Sequence, residues 1–216
     1  MNAQILWYLA RACGITAWLM LTASVLLGIV LSTDLFPRSR RPAWLLGMHR
    51  WLAMLTFFFL AGHIGMLLAD TKMHFSALDM AVPFHSSWRP MAVAVGVVSI
   101  WLLLAVALTA MASKRLAKNW WRGIHVFGYW VFWGASIHAA LSGTDASKTL
   151  YMVTSVVVVA VVAFATSYRV LSHHLPKRSH RPQTIRTGST PAVNDGAPRR
   201  FTPVLDDGVP RWRQIQ

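Results

Sequence analysis

The chain has 216 residues, 55% of them hydrophobic and only 13% charged, with a formal net charge of +14. A soluble domain carries about 25% charged residues, so the composition excludes an ordinary soluble fold. Nucleic acid is not needed to explain the charge, because the basic residues fall where the cytoplasmic loops of a membrane protein belong.

Five apolar runs follow one another: Ile5–Leu31, Trp44–Ala69, Met91–Ala112, Trp120–Leu141 and Leu150–Tyr168. Each approaches the roughly 20 residues that cross a bilayer as a helix. None alternates as a membrane barrel strand does. Only helices and closed barrels satisfy their backbones in lipid. The expected fold is therefore an all-α integral membrane bundle of five transmembrane helices, at about 5–31, 44–69, 91–112, 120–141 and 150–168.

The first run lacks a basic segment before it and is too long for a cleaved signal peptide. It contains Arg11 and Cys13, the one cysteine of the chain. A single cysteine excludes an internal disulfide and reads best as a small buried apolar residue. Arg38, Arg40 and Arg41 follow the first run, and Lys114, Arg115, Lys118 and Arg122 follow the third or open the fourth. Nine more cations follow Tyr168, whereas 70–90 holds only Lys72 and Arg89, and 142–149 only Lys148. The positive-inside rule then places the N-terminus outside and the C-terminus in the cytoplasm. Residues 1–172 form the membrane domain. Residues 173–216, rich in Pro, Arg, Ser, Thr and Gly, read as a disordered basic tail attracted to anionic lipid. The tail lacks a G-x-G-x-x-G fingerprint after a strand.

Two runs each carry a pair of histidines. Thirteen residues separate His49 from His63, and twelve separate His125 from His138. Each pair spans roughly 20 Å along a helix axis, much of the hydrocarbon thickness of about 30 Å. Ionisable residues at membrane depth are costly and mark function. Both helices run outward, so His49 matches His125 near the cytoplasm and His63 matches His138 near the outer face. Facing imidazoles are the axial arrangement of a six-coordinate b-type haem. Imidazole also suits zinc, copper and non-haem iron, but these usually want a further carboxylate or thiolate. The chain has no Glu, and every Asp lies outside a helix interior. A porphyrin brings its own four nitrogens, so haem between the second and fourth helices is favoured. For any one histidine, a hydrogen bond to a neighbouring helix explains it equally well.

Helical phase fits one pair better than the other. At about 100° per residue, His49 and His63 stand about 40° apart, but His125 and His138 about 140° apart. An irregularity in the fourth helix is expected, with Gly128 and Gly134 as places to deform. Arg50 and Arg122 stand beside the inner histidines, and Arg11 and Arg89 lie on the outer side. These four are candidate partners of haem propionates, although Arg50 and Arg122 also fit a topology signal or a snorkelling side chain. Trp7, Trp44, Trp51, Trp88, Trp120 and Trp121 mark run ends as interfacial anchors. Gly14, Gly28, Gly62, Gly65 and Gly96 read as helix-packing residues. His74 and His85 read as surface histidines, with metal binding or proton delivery as the lesser alternatives.

HRWLAMLTFFFLAGH at 49–63 and WRGIHVFGYWVFWGASIH at 121–138 resemble the ferric reductase-like transmembrane domain family, the membrane half of NADPH oxidases and ferric-chelate reductases. VPF at 82–84 and GTD at 143–145 look like its short bacterial members. The resemblance covers about 5–170 and implies two haem b groups. It also implies a bacterial cytoplasmic membrane and electron transfer outward from a cytoplasmic flavoprotein or quinol. FAD or FMN would reside only on a separate partner. The acceptor would be a ferric chelate, dioxygen or an external redox protein. Larger members have six helices and a fused flavin and NADPH domain, which this chain lacks. More loosely, it resembles the haem subunit of the bacterial methionine sulfoxide reductase system, which feeds a separate external enzyme. A ferric reductase-like oxidoreductase, a superoxide-producing oxidase and a subunit that serves only a partner enzyme thus stay open. A proton-coupled transporter is disfavoured by the lack of membrane carboxylates, and a pure scaffold leaves four histidines unexplained.

Overall fold

The computed structural model describes residues 3–33, 42–71, 75–143 and 148–174. All regular structure among them is helical: α1 Ala3–Ser32, α2 Ala43–Ala69, α3 Ala77–Ala81, α4 Pro90–Met111, α5 Lys118–Val126, α6 Gly128–Ser142 and α7 Thr149–His174. Among the described residues, four stretches are long and apolar enough to cross a membrane: Gln4–Ser32, Trp44–Ala69, Pro90–Met111 and Thr149–Ser172. The chain divides between Pro176 and Lys177 into two units, and the tail expected from 173 onward lies beyond the described residues except for the end of α7.

The surface confirms the composition. Phe58, Phe164 and Leu150 are 70%, 74% and 80% exposed, which only a lipid environment makes acceptable for so many large apolar side chains. The interior mixes larger side chains such as Leu21, Val97 and Phe132 with small ones at the helix contacts, Ala10 and Ala17 on α1 and Ala92 and Ala94 on α4. Helices associate in lipid through close packing, which small side chains permit. Hydroxyls inside the helices bond back to their own turn, as in Thr22 to Trp18 O, Thr56 to Leu52 O and Ser99 to Val95 O. Each hydroxyl is thereby satisfied without a neighbour.

Two helix pairs organise the bundle. α1 packs along α2, and α4 along α6. Both pairs are antiparallel: the start of α2 meets the end of α1, and the end of α6 meets the start of α4. α1 joins the pairs. Trp18 stacks on Phe132 with centroids 6.4 Å apart, and its Nε1 donates to Ser136 Oγ at 2.9 Å. Phe132 is fully buried. The histidine-bearing helices α2 and α6 share no extended packing contact, so space remains between them.

The expected fourth helix is two helices rather than one. At Phe127 the N–H turns from the i−4 carbonyl to that of Ile124, 3.0 Å away, and α6 then starts at Gly128. A turn of this tighter kind over-winds by about 20° per residue. It therefore reduces the roughly 140° offset between His125 and His138. Gly128 is the residue beside the break. Gly134 has another use, since Ser99 Oγ fills the place where its Cβ would stand. α5 mixes Lys118 and Arg122 with Trp120, Trp121 and Ile124, and none of its residues is buried. That pattern suits the interfacial end of a membrane span, where cations and indoles both find partners.

Candidate haem site

α1 and α2 bring His49 and His63 onto one face of α2, each ring against α1. His49 Nδ1 lies 2.9 Å from Ser24 O, with Ser24 Oγ at 3.2 Å. His63 Nδ1 lies 2.7 Å from Ala10 O. On the other pair, His138 Nδ1 lies 2.7 Å from Ala92 O, with Ser142 Oγ at 3.4 Å. A carbonyl accepts only, so each of these rings carries its proton on Nδ1 and keeps a lone pair on Nε2. Metal-ligating histidines show the same arrangement, with the outer nitrogen bonded to a backbone carbonyl.

His49 and His125 come together, with ring centroids 6.1 Å apart and planes inclined by 67°. Metal–imidazole nitrogen bonds are about 2.0–2.1 Å, so two of them to one atom fit that separation. Trp121 lies one turn before His125, their rings 5.5 Å apart. Among the described residues, neither Trp121 Nε1 nor His125 Nδ1, both buried, has a hydrogen-bond partner.

His63 and His138 line one cavity of about 210 Å³ with Arg11, Trp18, Thr56 and Val97. Its lining is almost wholly apolar, and Phe75, Met80 and Trp88 of the outer segment contribute to it. An apolar lining with a few polar groups is the character of a cofactor site. Among the described residues no three His, Cys, Asp or Glu side chains converge on a metal ion. Two imidazoles would suffice for an iron already held by a porphyrin, which supplies four nitrogens of its own.

The arginines divide. Arg11 lines the outer cavity. Arg89 caps α4 in the left-handed region at φ 41°, donates to Leu141 O and lies 5.2 Å over the Trp88 ring. Arg50 and Arg122 are exposed. A fifth arginine, just past the last apolar run, joins them. α7 continues beyond Tyr168, and Arg169 donates from inside it to Tyr129 Oη and stacks 5.4 Å from that ring. Tyr129 stands one turn after His125, so this cation belongs to the inner end. Three of the glycines prove more specific than packing residues. Gly14, Gly28 and Gly96 each face a histidine ring, Gly62 faces Cys13, and Gly65 faces open space.

His74 lies outside the described residues. His85 is exposed, and its Nδ1 lies 2.9 Å from Asp79 Oδ1. Asp79 closes a capping box on α3 with Ser76. The Ser76 backbone N–H, the His85 ring and the Ser76 hydroxyl together pull its carboxyl down to about 2.

The family model described as ferric reductase like transmembrane component matches residues 13–136. This is more than half of the chain, and the protein belongs to that family. The matched stretch includes His49, His63 and His125 and stops two residues before His138. The family is a haem-binding, oxidoreductase-associated class of membrane component. No curated protein and no solved structure matches the chain.

Proposed function

We propose that the protein is a bis-haem transmembrane cytochrome b of five spans, the fourth made by α5 and α6 in succession. His49 and His125 would hold the inner haem, and His63 and His138 the outer one. The N-terminus would lie outside and the C-terminus in the cytoplasm of a bacterial membrane. The observation that carries this reading is the geometry of the four imidazoles. Three have their Nδ1 committed to a backbone carbonyl, the inner two face each other at 6.1 Å, and the outer two share an apolar cavity.

Bound haem supplies reversible one-electron chemistry at iron. The chain's own residues do the rest. The histidines fix two sites at different depths, and the apolar cavity walls exclude water. Arg11 places positive charge at the outer site, and Arg169 with Tyr129 places it at the inner end. The electrons come from a cytoplasmic flavoprotein or quinol, with any FAD or FMN on that partner. They leave to a ferric chelate, dioxygen or an external redox protein. Haem extraction from purified protein tests the reading. Two haem b per chain is the expected ratio, and a ratio near one, or none, overturns it.

A further inference from the structure

Three of the histidines meet the same device on the neighbouring helix. The carbonyls that face their Nδ1 atoms belong to Ala10, Ser24 and Ala92. Four residues after each carbonyl stands a glycine: Gly14, Gly28 and Gly96. A Cβ on Gly96 would lie 2.7 Å from His138 Nδ1, one on Gly14 2.9 Å from His63 Nδ1, and one on Gly28 3.4 Å from His49 Cε1.

The spacing has a physical reason. A carbonyl within a helix gives one lone pair to the N–H four residues on. The side chain at that later position leans back toward the N-terminus, over the same carbonyl. Any side chain there shields the second lone pair from an outside donor. Glycine leaves it open, and the imidazole ring occupies the vacated space. Among the described residues the fourth histidine has no such partner. His125 Nδ1 is buried and unbonded, and Gly123 and Gly128 face nothing within 4 Å.

We infer that Gly14, Gly28 and Gly96 are positioning residues that unmask a backbone carbonyl and thereby set the tautomer, orientation and basicity of three haem ligands. The inference rests on the function proposed above. Its consequence is an asymmetry between the sites: the outer one is anchored on both sides, the inner one only through His49. A carbonyl on Nδ1–H makes the opposite nitrogen a stronger donor. Stronger donors favour ferric iron, so each bond removed raises the midpoint potential of its own haem.

The test uses the full chain in detergent, with low-spin electron paramagnetic resonance and redox titration of both haems. Gly14→Ala and Gly96→Ala should each raise the outer midpoint or weaken outer haem retention by about 10–100-fold, the usual effect of losing such a partner. The inner haem should not change. Gly28→Ala, with its looser contact, should produce a smaller shift confined to the inner haem. Gly62→Ala is the control: its added methyl meets Cys13 Sγ at 3.2 Å on the same helix pair and faces no histidine. It should lower thermal stability and leave both signals in place. If Gly14→Ala and Gly96→Ala behave as Gly62→Ala does, the inference is overturned while the two-haem reading stands. An unaltered chain without low-spin haem overturns that reading instead. If neither outer variant accumulates, Gly28→Ala decides, and an unmoved inner signal overturns the inference.

Discussion

Trp18 on α1 and Phe132 on α6 lie nearly parallel, their planes 17° apart. Along α1, Trp18 falls between Gly14 and Gly28, and along the other chain segment Phe132 falls between His125 and His138. The contact therefore sits between the two histidine levels and locks the α1–α2 pair to the α4–α6 pair. Lipid is as apolar as either ring, so the contact stabilises through packing and not through transfer from water. Phe132→Ala should cost about 3 kcal/mol, near the low end for a buried phenylalanine. Trp18→Phe keeps a ring but loses the bond to Ser136, worth about 0.6 kcal/mol between membrane helices. Thermal unfolding in detergent checks both, and equal losses would show that the hydrogen bond, not the stack, joins the pairs.

Charge near a haem sets its potential, because a cation disfavours the more positive ferric state. An elementary charge roughly 15 Å away at an effective dielectric of about 20 contributes ~1 kcal/mol, on the order of 50 mV. Arg11→Leu should therefore lower the outer midpoint and leave the inner one. Arg169→Leu should do the reverse, lowering only the inner midpoint. Redox titration of each variant reads the result directly. An unchanged outer midpoint in Arg11→Leu would leave that arginine with a structural role.

The outer segment has an acid limit of its own. Asp79 falls from 3.8 to about 2 in the folded chain. A depressed carboxyl contributes stability that is complete above its unfolded value and is lost as pH drops through the folded one. The turn from Ser76 to Arg89 should therefore loosen between about pH 4 and pH 2. Asp79→Asn should remove that pH dependence and loosen the turn at neutral pH. Amide exchange of 76–89 measures both, and unaltered protection in Asp79→Asn at neutral pH would contradict the role given to the carboxylate.

Much of the bundle is legible in the chain because lipid imposes simple rules. Apolar run length marks the helices, and the two histidine pairs, His49 with His63 and His125 with His138, stand out against a background with no Glu. The phase mismatch between His125 and His138 by itself announces an irregularity in the fourth run. Its place at Phe127 is not announced, because phenylalanine has no helix-breaking character and only Gly128 beside it hints at the site. The role of Gly14, Gly28 and Gly96 is hidden for a different reason. A glycine four residues after an alanine or serine means nothing until the register of α1 on α2 and of α4 on α6 is known. Arg169 escapes notice because the apolar run ends at Tyr168, and a helix continuing into polar sequence has no hydropathy signal. Tyr129 holds that last stretch in place, a long-range contact that local pattern does not contain.

The pairing of the four histidines by depth is the claim on which the rest stands, and selective loss of haem tests it most directly. Difference spectra and haem-to-protein ratios should be measured on well-folded His63→Ala, His138→Ala, His49→Ala and His125→Ala proteins. The first two should each retain one low-spin haem with the same midpoint, and the last two should retain the other. If His63→Ala and His138→Ala leave haems of different midpoint, or if any folded variant loses both haems or neither, the two-level arrangement is wrong.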